Sequence, residues 1–119
     1  MKENSLQLIP KYERYIQYML ETILKLPRVE KFNIGNEFKK SMYQALENIL
    51  YIEKIDKYQR LYYLNIIDTK ISYQRILLRI MLKNKYIDER KFKVSMELIY
   101  EIGKILGGLI KYYAKNNKK

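Results

Sequence analysis

Two arginines set four residues apart are the side chains in this sequence best placed to bind a charged group. Arg75 and Arg79 lie on one side of a predicted helix, because residues four apart share a helix face. At about 100° per residue, Arg75 falls within about 20° of the direction of Leu64 and Leu82, on the apolar stripe of that helix. An arginine there must be paired or must reach an edge, because an unpaired buried charge is very costly.

Two carboxylates are candidate partners for Arg75. Asp68 comes earlier on the same side of the helix, and Glu101 belongs to the next helix. The sequence leaves open whether Arg75 forms an internal ion pair that fixes helix register or binds a ligand. Arg79 lies further round the helix, so we expect it to be more exposed and to contact a ligand or a partner.

The residue types that most often carry catalysis or bind metals are missing or unsuitably spaced. The chain has no Cys and no His, which excludes disulfides, thiol nucleophiles, histidine bases and the usual zinc sites. Asp68, Glu97 and Glu101 lie near apolar stripes, but their spacing resembles neither a metal site nor an acid–base pair. No phosphate-binding loop is present. We therefore predict no catalytic residue, no cofactor, no metal and no enzymatic activity.

Net charge is the strongest indication of a partner. Lys and Arg number 24 against 13 Asp and Glu, which gives a formal net charge of +11. This excess favours nucleic acid bound through its phosphates, with an acidic protein or a membrane surface second. An AT-rich genome would also explain the abundant lysine, and that alternative stays open. The side chains predicted to contact nucleic acid or a protein partner are Arg75, Arg79, Lys83, Lys39, Lys40, Lys104 and Lys111.

Four amphipathic segments must position these side chains. We expect a first helix from Pro10 that ends before Leu26, because Pro27 pushes Leu26 out of helical geometry. The other helices should run from a cap at Asn33 or Asn36 to Lys54, from Tyr58 to Lys83, and from a cap at Asp88 to Tyr113. The breaks fall at Pro27, Asp56 and Lys85. Short loops force neighbouring helices to run antiparallel, which predicts an all-α, up-down-up-down four-helix bundle.

Residues 1–119 are expected to form a single domain, with a loose N-terminal arm at 1–9 and a basic tail at 115–119. The N-terminal stretch has no apolar core typical of a signal peptide, and no apolar run approaches membrane-spanning length. We therefore expect a soluble, cytoplasmic protein without a membrane partner.

Apolar residues at three- and four-residue spacing predict the core. The stripes are Tyr12, Ile16, Met19, Leu20 and Ile23; then Phe38, Met42, Ala45, Ile49 and Ile52; then Leu64, Ile67, Ile71, Leu78 and Leu82; and finally Val94, Leu98, Ile102, Ile105 and Leu109. Tyr43 and Leu50 lie well round from the second stripe. Ile76 and Ile80 point away from the third. The last two helices have apolar residues on too many sides for a monomer, which predicts a homo-oligomer.

Three glycines interrupt the last helix. Gly103, Gly107 and Gly108 each cost roughly 1 kcal/mol relative to alanine in a helix interior. We interpret them as packing positions, where the missing side chain lets another backbone come close. Alternatively, Gly107 and Gly108 end the helix, although the apolar periodicity continues beyond them.

Three segments carry a resemblance to a known family. The first, LPRVEKFNIGNEF, resembles the junction of helices one and two in the four-helix-bundle proteins encoded in ribosomal-RNA intervening sequences. The other two, QRILLRIMLKNKYID and MELIYEIGKILGGLIK, are most similar to the accessory variability determinant (Avd) proteins of diversity-generating retroelements. The resemblance covers Pro10 to Lys111. One departure is Leu109, which stands where Avd proteins often carry Trp.

The Avd resemblance implies a four-helix bundle that assembles as a five-subunit barrel with a basic surface. It implies a non-catalytic protein that binds the reverse transcriptase of its element and nucleic acid, and that supports mutagenic copying of template RNA into cDNA. Arg75 and Arg79 match the helix-three arginines of the family, and the three glycines match its C-terminal glycines.

Two other functions remain as alternatives at this point. The chain could be an intervening-sequence-type bundle with an RNA-binding or unknown role, or a structural oligomer whose charge reflects only genome composition. A neighbouring reverse-transcriptase gene with a template and variable repeat pair would distinguish the Avd function from both.

Overall fold

The computed structural model describes the backbone of residues 2–116 and the side chains of residues 7–116. The helices are α1 (Lys2–Leu24), α2 (Arg28–Lys31), α3 (Ile34–Ile52), α4 (Lys57–Lys83) and α5 (Glu89–Asn116). Four of these helices are long, α2 is a single turn, and residues 2–116 contain no strand. The predicted all-α class with four long helices is confirmed.

The long helices form a bundle with extents of 50 × 22 × 21 Å. α4 packs between α3 and α5, while α1 packs against α5 and less extensively against α3. Glu37 of α3 contacts Tyr73 of α4. Gln44, which comes later in α3, contacts Lys70, which comes earlier in α4. These two helices therefore run antiparallel, as their short connection requires.

α1 and α5 are antiparallel as well. Lys11, near the middle of α1, pairs with Glu101 in the middle of α5. Tyr18, two turns further along α1, lies under the ammonium group of Lys91 at the start of α5. α4 and α5 are antiparallel too, because Arg60 contacts Tyr113 while Arg75, later in α4, contacts Gly103, earlier in α5. Together these three pairs give the expected up-down-up-down arrangement.

The N-terminal arm predicted at residues 1–9 is wrong for the described part of the chain, because α1 begins at Lys2. Pro10 lies inside this helix rather than at its first position, although a proline there removes one backbone hydrogen bond. Leu8 explains the longer helix. It is 4% exposed and lies one turn before the fully buried Tyr12, so helical geometry carries it onto the core. Residues 117–119 of the predicted basic tail lie outside the described residues.

The predicted helix breaks at Pro27, Asp56 and Lys85 are confirmed, but only one predicted cap forms. Asp88 accepts a hydrogen bond of 2.8 Å from the backbone N–H of Lys91, as an N-cap does. Asn33 precedes α3 without a side-chain cap bond, and the Asn36 amide donates to the carbonyl of Phe32 instead. The turn of α2 runs almost directly into α3: the N–H of Asn33 donates to the carbonyl of Glu30, and the carbonyl of Asn33 accepts from the N–H of Glu37.

Most predicted core residues are buried. All five stripe residues of α3 are buried, whereas Tyr43 and Leu50 are 44% and 47% exposed. On α5 the buried line is rotated from the predicted one, because Ser95 and Ile99 are fully buried while Leu98 is only half-buried. Periodicity defines a broad apolar face, and the neighbouring helices decide which part of that face is covered.

A chain of hydrogen bonds crosses the core from α1 to α3. The Tyr15 hydroxyl donates to Gln74 Oε1 at 2.7 Å, and Gln74 Nε2 donates to Ser41 Oγ at 3.1 Å. Ser41 Oγ donates to the carbonyl oxygen of Lys70 at 3.3 Å. Burial raises the pKa of Tyr15, so its hydroxyl remains a donor at neutral pH. Because buried polar groups need partners, this chain favours one register of α1, α3 and α4.

No helix within residues 2–116 is both long enough and apolar enough to cross a bilayer.

Candidate nucleic-acid interface

Three of the predicted contact residues follow one another along α4. Arg75, Arg79 and Lys83 are four residues apart, so they form a gently turning row on its surface. Arg75 is half-buried against α5, whereas Arg79 and Lys83 are exposed. The predicted exposure of Arg79 is confirmed, and its guanidinium is available to a partner.

Arg75 lines a groove between α4 and α5, which we call the Arg75 groove. Its other lining residues are Phe92, Lys93, Met96, Glu97 and Tyr100. The groove brings two cations, Arg75 and Lys93, next to apolar and aromatic surface. Such a surface suits a partner that carries an anionic group beside a flat ring. Lys93 was not among the predicted contact residues, since its place beside Arg75 depends on the register of α5 against α4.

The internal ion pair considered for Arg75 does not form within residues 7–116. Glu101 pairs with Lys11 instead, with Nζ and Oε1 3.1 Å apart. α5 lies between α1 and α4, and Glu101 and Gly103 point roughly 200° apart at about 100° per residue. Glu101 therefore faces α1, away from Arg75. The hydrogen bond from Lys11 lowers the pKa of Glu101 from its ordinary value of 4.5.

The glycines of α5 behave differently from one another. At Gly103 the close neighbour is the Arg75 guanidinium, not a backbone, because a Cβ placed there would lie 2.5 Å from Arg75 Nη2. A Cβ at Gly107 would meet no atom within 4 Å. The helix continues through Gly107 and Gly108 to Asn116, so the alternative that they end it is wrong. The packing role predicted for these two glycines remains a prediction for an assembly of several copies.

Gly35, which sequence reasoning did not single out, also has close neighbours. A Cβ at Gly35, in the first turn of α3, would lie 3.0 Å from Ile23 Cγ2 and 3.2 Å from the carbonyl oxygen of Glu30. Gly35 therefore permits α3 to start close against the end of α1. The position of Gly35 directly after the α2 turn could have indicated a close contact between helices. The distance from Gly35 to Ile23, however, depends on how α1 and α3 pack.

The predicted lysines do not gather into one patch. Lys104 does not line the Arg75 groove, but its Nζ lies 5.4 Å from the centre of the ring of Tyr100, which does. Lys111 is exposed two turns further along α5. Positive charge therefore extends along the α4–α5 side of the bundle.

Lys39 and Lys40 belong to a different face. Lys40 lies in a cleft between α3 and α4 that Glu37, Lys70 and Tyr73 also line. Lys70 Nζ donates to Gln44 Oε1 at 2.9 Å, so its ammonium group is held on this side. α4 separates this cleft from the Arg75 groove. Lys39 is half-buried on the same helix.

The site contains no constellation typical of a metal centre. Within the described residues, no group of three or more acidic side chains is close enough to hold a metal ion. The arrangement is instead one of cations and tyrosines spread over several faces of a helical bundle.

This all-α basic bundle belongs to the bAvd-like family, whose model matches residues 6–113. The match covers nearly the whole chain and confirms the resemblance to Avd-type proteins. A search of curated proteins found no match.

Proposed function

We propose that this protein is a non-catalytic accessory protein of a diversity-generating retroelement. It binds the reverse transcriptase of its element together with template RNA or cDNA, and it supports mutagenic reverse transcription in the cytoplasm. Membership of the bAvd-like family supports the accessory role.

The observation that supports nucleic-acid binding is a large positive charge, little of which is neutralised by ion pairs within the described side chains. The net charge is +11, and the side chains of residues 7–116 form a single ion pair, Lys11–Glu101. The remaining cations lie on several faces of the bundle. Such a surface attracts phosphates from many directions, and binding through phosphates depends little on the nucleotide sequence.

We also propose that the working form is a ring of five copies. The number five comes from the family resemblance. Support for an interface comes from apolar side chains that one copy leaves uncovered: Ile76 is 46% exposed and Ile80 is 40% exposed on α4. Assembly would multiply the positive field and so strengthen phosphate binding.

A salt titration tests nucleic-acid binding. Labelled RNA and labelled duplex DNA are titrated with the protein at several salt concentrations. The logarithm of affinity should fall linearly with the logarithm of salt concentration, by roughly 0.7–0.9 per neutralised phosphate. Absence of binding at low salt, or affinity that salt does not change, would contradict phosphate binding and leave a role limited to protein contacts.

Charge reversal at Arg79 tests whether this residue contacts nucleic acid or the reverse transcriptase. Arg79→Glu should weaken binding of nucleic acid or of the reverse transcriptase, with an unchanged circular-dichroism spectrum. Arg14→Glu is the matched control, because Arg14 is an exposed arginine on α1 and the charge change is the same. Equal loss in both variants would indicate a general field effect, and normal binding by Arg79→Glu would remove that residue from the interface.

A further inference from the structure

Four tyrosines lie where α3 ends and α4 begins, and ring contacts join three of them. Tyr51, Tyr58, Tyr62 and Tyr63 lie around the short turn between these helices, and we call them the tyrosine platform. The rings of Tyr51 and Tyr63 are 5.1 Å apart at 77°. The rings of Tyr62 and Tyr63 are 5.1 Å apart at 88°. Edge-to-face contacts of this kind hold neighbouring rings in fixed positions.

The platform is open to solvent. Tyr62 is 66% exposed, Tyr58 is 57% exposed and Tyr51 is 45% exposed. By contrast, Tyr12 and Tyr15 are completely buried in the core. Exposure is therefore a property of the platform and not of tyrosines throughout this chain. The rings of Tyr51 and Tyr62 both contact the half-buried Tyr63, and Tyr58 lies one helical turn before Tyr62. Exposed rings gathered in this way are surfaces on which another flat ring can stack.

Cations flank these rings. Lys54 and Lys57 are exposed in the turn, and Lys57 Nζ lies 5.8 Å from the centre of the Tyr58 ring. Arg60 donates a hydrogen bond of 2.8 Å to the Tyr113 hydroxyl and lies over that ring. Two carboxylates, Glu53 and Asp56, lie near the same turn, and Asp56 accepts from the backbone N–H of Tyr58. The three cations outnumber these two carboxylates. Positive charge next to open rings matches a ligand whose phosphates alternate with flat bases.

We infer that the tyrosine platform binds single-stranded nucleic acid, with bases stacked on Tyr62 and Tyr58 and phosphates near Lys54 and Lys57. This inference rests on the proposed nucleic-acid binding and makes it more specific. Stacking on aromatic side chains accepts every base, which suits a protein without sequence preference. The bases of a duplex are already stacked on one another, so the platform distinguishes single strands from duplexes.

The test compares a labelled unstructured oligouridine with a duplex of equal length. Tyr62→Ala should weaken binding of the single strand about 5- to 150-fold, as expected for loss of one stacked base at roughly 1–3 kcal/mol. It should leave duplex affinity unchanged. Tyr62→Phe keeps the ring and should bind like the unaltered protein.

Tyr43→Ala is the matched control. Tyr43 is 44% exposed on α3 and belongs to neither the tyrosine platform nor the Arg75 groove. Its replacement should leave oligouridine affinity unchanged. The loss in Tyr62→Ala should also persist at high salt, because stacking depends on salt far less than phosphate contacts do.

The outcomes separate this inference from the proposed function. If the protein binds RNA with steep salt dependence and Tyr62→Ala binds equally well, the platform is refuted and phosphate binding stands. If Tyr62→Ala binds nucleic acid normally but no longer binds the reverse transcriptase, the platform is a protein contact and the inference is wrong. If the unaltered protein binds neither oligouridine nor duplex at low salt, both are refuted.

Discussion

The guanidinium of Arg75 occupies the space that a side chain at Gly103 would fill. A Cβ at Gly103 would lie 2.5 Å from Arg75 Nη2, and no backbone of another helix approaches it as closely. The glycine in α5 and the arginine in α4 therefore form one structural unit. Arg75 reaches the edge of the bundle across α5, which resolves how an arginine can occupy an apolar stripe without a carboxylate partner.

Gly103→Ala should move Arg75 without unfolding the protein. The clashing atom is the far end of a flexible side chain, and alanine gains up to about 1 kcal/mol of helix propensity. The free energy of unfolding should therefore change by no more than about 1 kcal/mol in urea titrations. If Arg75 contributes to nucleic-acid binding, Gly103→Ala and Arg75→Ala should weaken it similarly, and the double variant should show no further loss. Fully additive losses would contradict this coupling.

Gly35→Ala should destabilise the protein. The added methyl group would lie 3.0 Å from Ile23 Cγ2 and 3.2 Å from the Glu30 carbonyl oxygen, and a backbone atom cannot rotate away. Overpacking of this kind costs about 1–3 kcal/mol. Gly103→Ala serves as the control for stability, because the atoms near its added methyl group belong to the flexible end of the Arg75 side chain. Urea unfolding that gave equal stability for the two variants would show that the α1–α3 junction relaxes easily.

Gly107→Ala also tests assembly. In a single copy the substitution is sterically free and should stabilise α5 by up to about 1 kcal/mol. If Gly107 packs against another copy, the methyl group will disturb that interface. We expect light scattering to show an oligomer for the unaltered protein and weaker assembly for Gly107→Ala. A clean monomer of the unaltered protein at low concentration would refute the proposed ring.

The chain from Tyr15 through Gln74 to Ser41 should behave as a coupled unit. Gln74→Leu leaves the buried Tyr15 hydroxyl without its acceptor, which should cost about 1–3 kcal/mol. Adding Tyr15→Phe removes the stranded hydroxyl, so the double variant should lose less stability than the sum of the single losses. Ser41 keeps its bond to the Lys70 carbonyl in every variant. Strict additivity in thermal or urea unfolding would show that water replaces Gln74.

The Lys11–Glu101 pair predicts a small acid-dependent contribution to stability. The pKa of Glu101 is lower in the folded state than its ordinary value of 4.5, mainly because of the hydrogen bond from Lys11. Its stabilising contribution is therefore complete above that ordinary value and is lost as pH falls through the lowered pKa. Both side chains are partly exposed, so the effect should weaken at high salt.

An NMR titration of the Glu101 carboxyl group measures this shift directly. Lys11→Met should return the pKa of Glu101 towards its ordinary value. The stability difference between the unaltered protein and Glu101→Gln should vanish at low pH. A difference that stayed constant across the acid range would assign the effect to packing instead of charge.

Much of the architecture follows from local sequence. The stripe from Phe38 to Ile52 is buried as predicted, and Asp88 caps α5 as predicted. These features depend on the helical repeat and on side chains that bond to their own backbone, and both are local properties. The excess of positive charge is likewise a property of composition alone.

Other features depend on how the helices are rotated and aligned against one another. Gln74 and Arg75 are adjacent in sequence, yet Gln74 is fully buried and Arg75 reaches the surface. A step of about 100° separates them, and periodicity alone does not resolve which of two neighbours faces the centre of the bundle. The burial of Leu8, in the part of α1 that precedes Pro10, likewise depends on the neighbouring helices.

Contacts between distant parts of the chain were decided by tertiary structure alone. Lys11 meets Glu101 across ninety residues, and Arg75 meets Gly103 because α4 and α5 pack in one particular register. A sequence repeat indicates which face of a helix is apolar, but the pairing of individual side chains requires the relative rotation and translation of two helices. Those quantities result from the packing of all the helices together, which no single segment encodes.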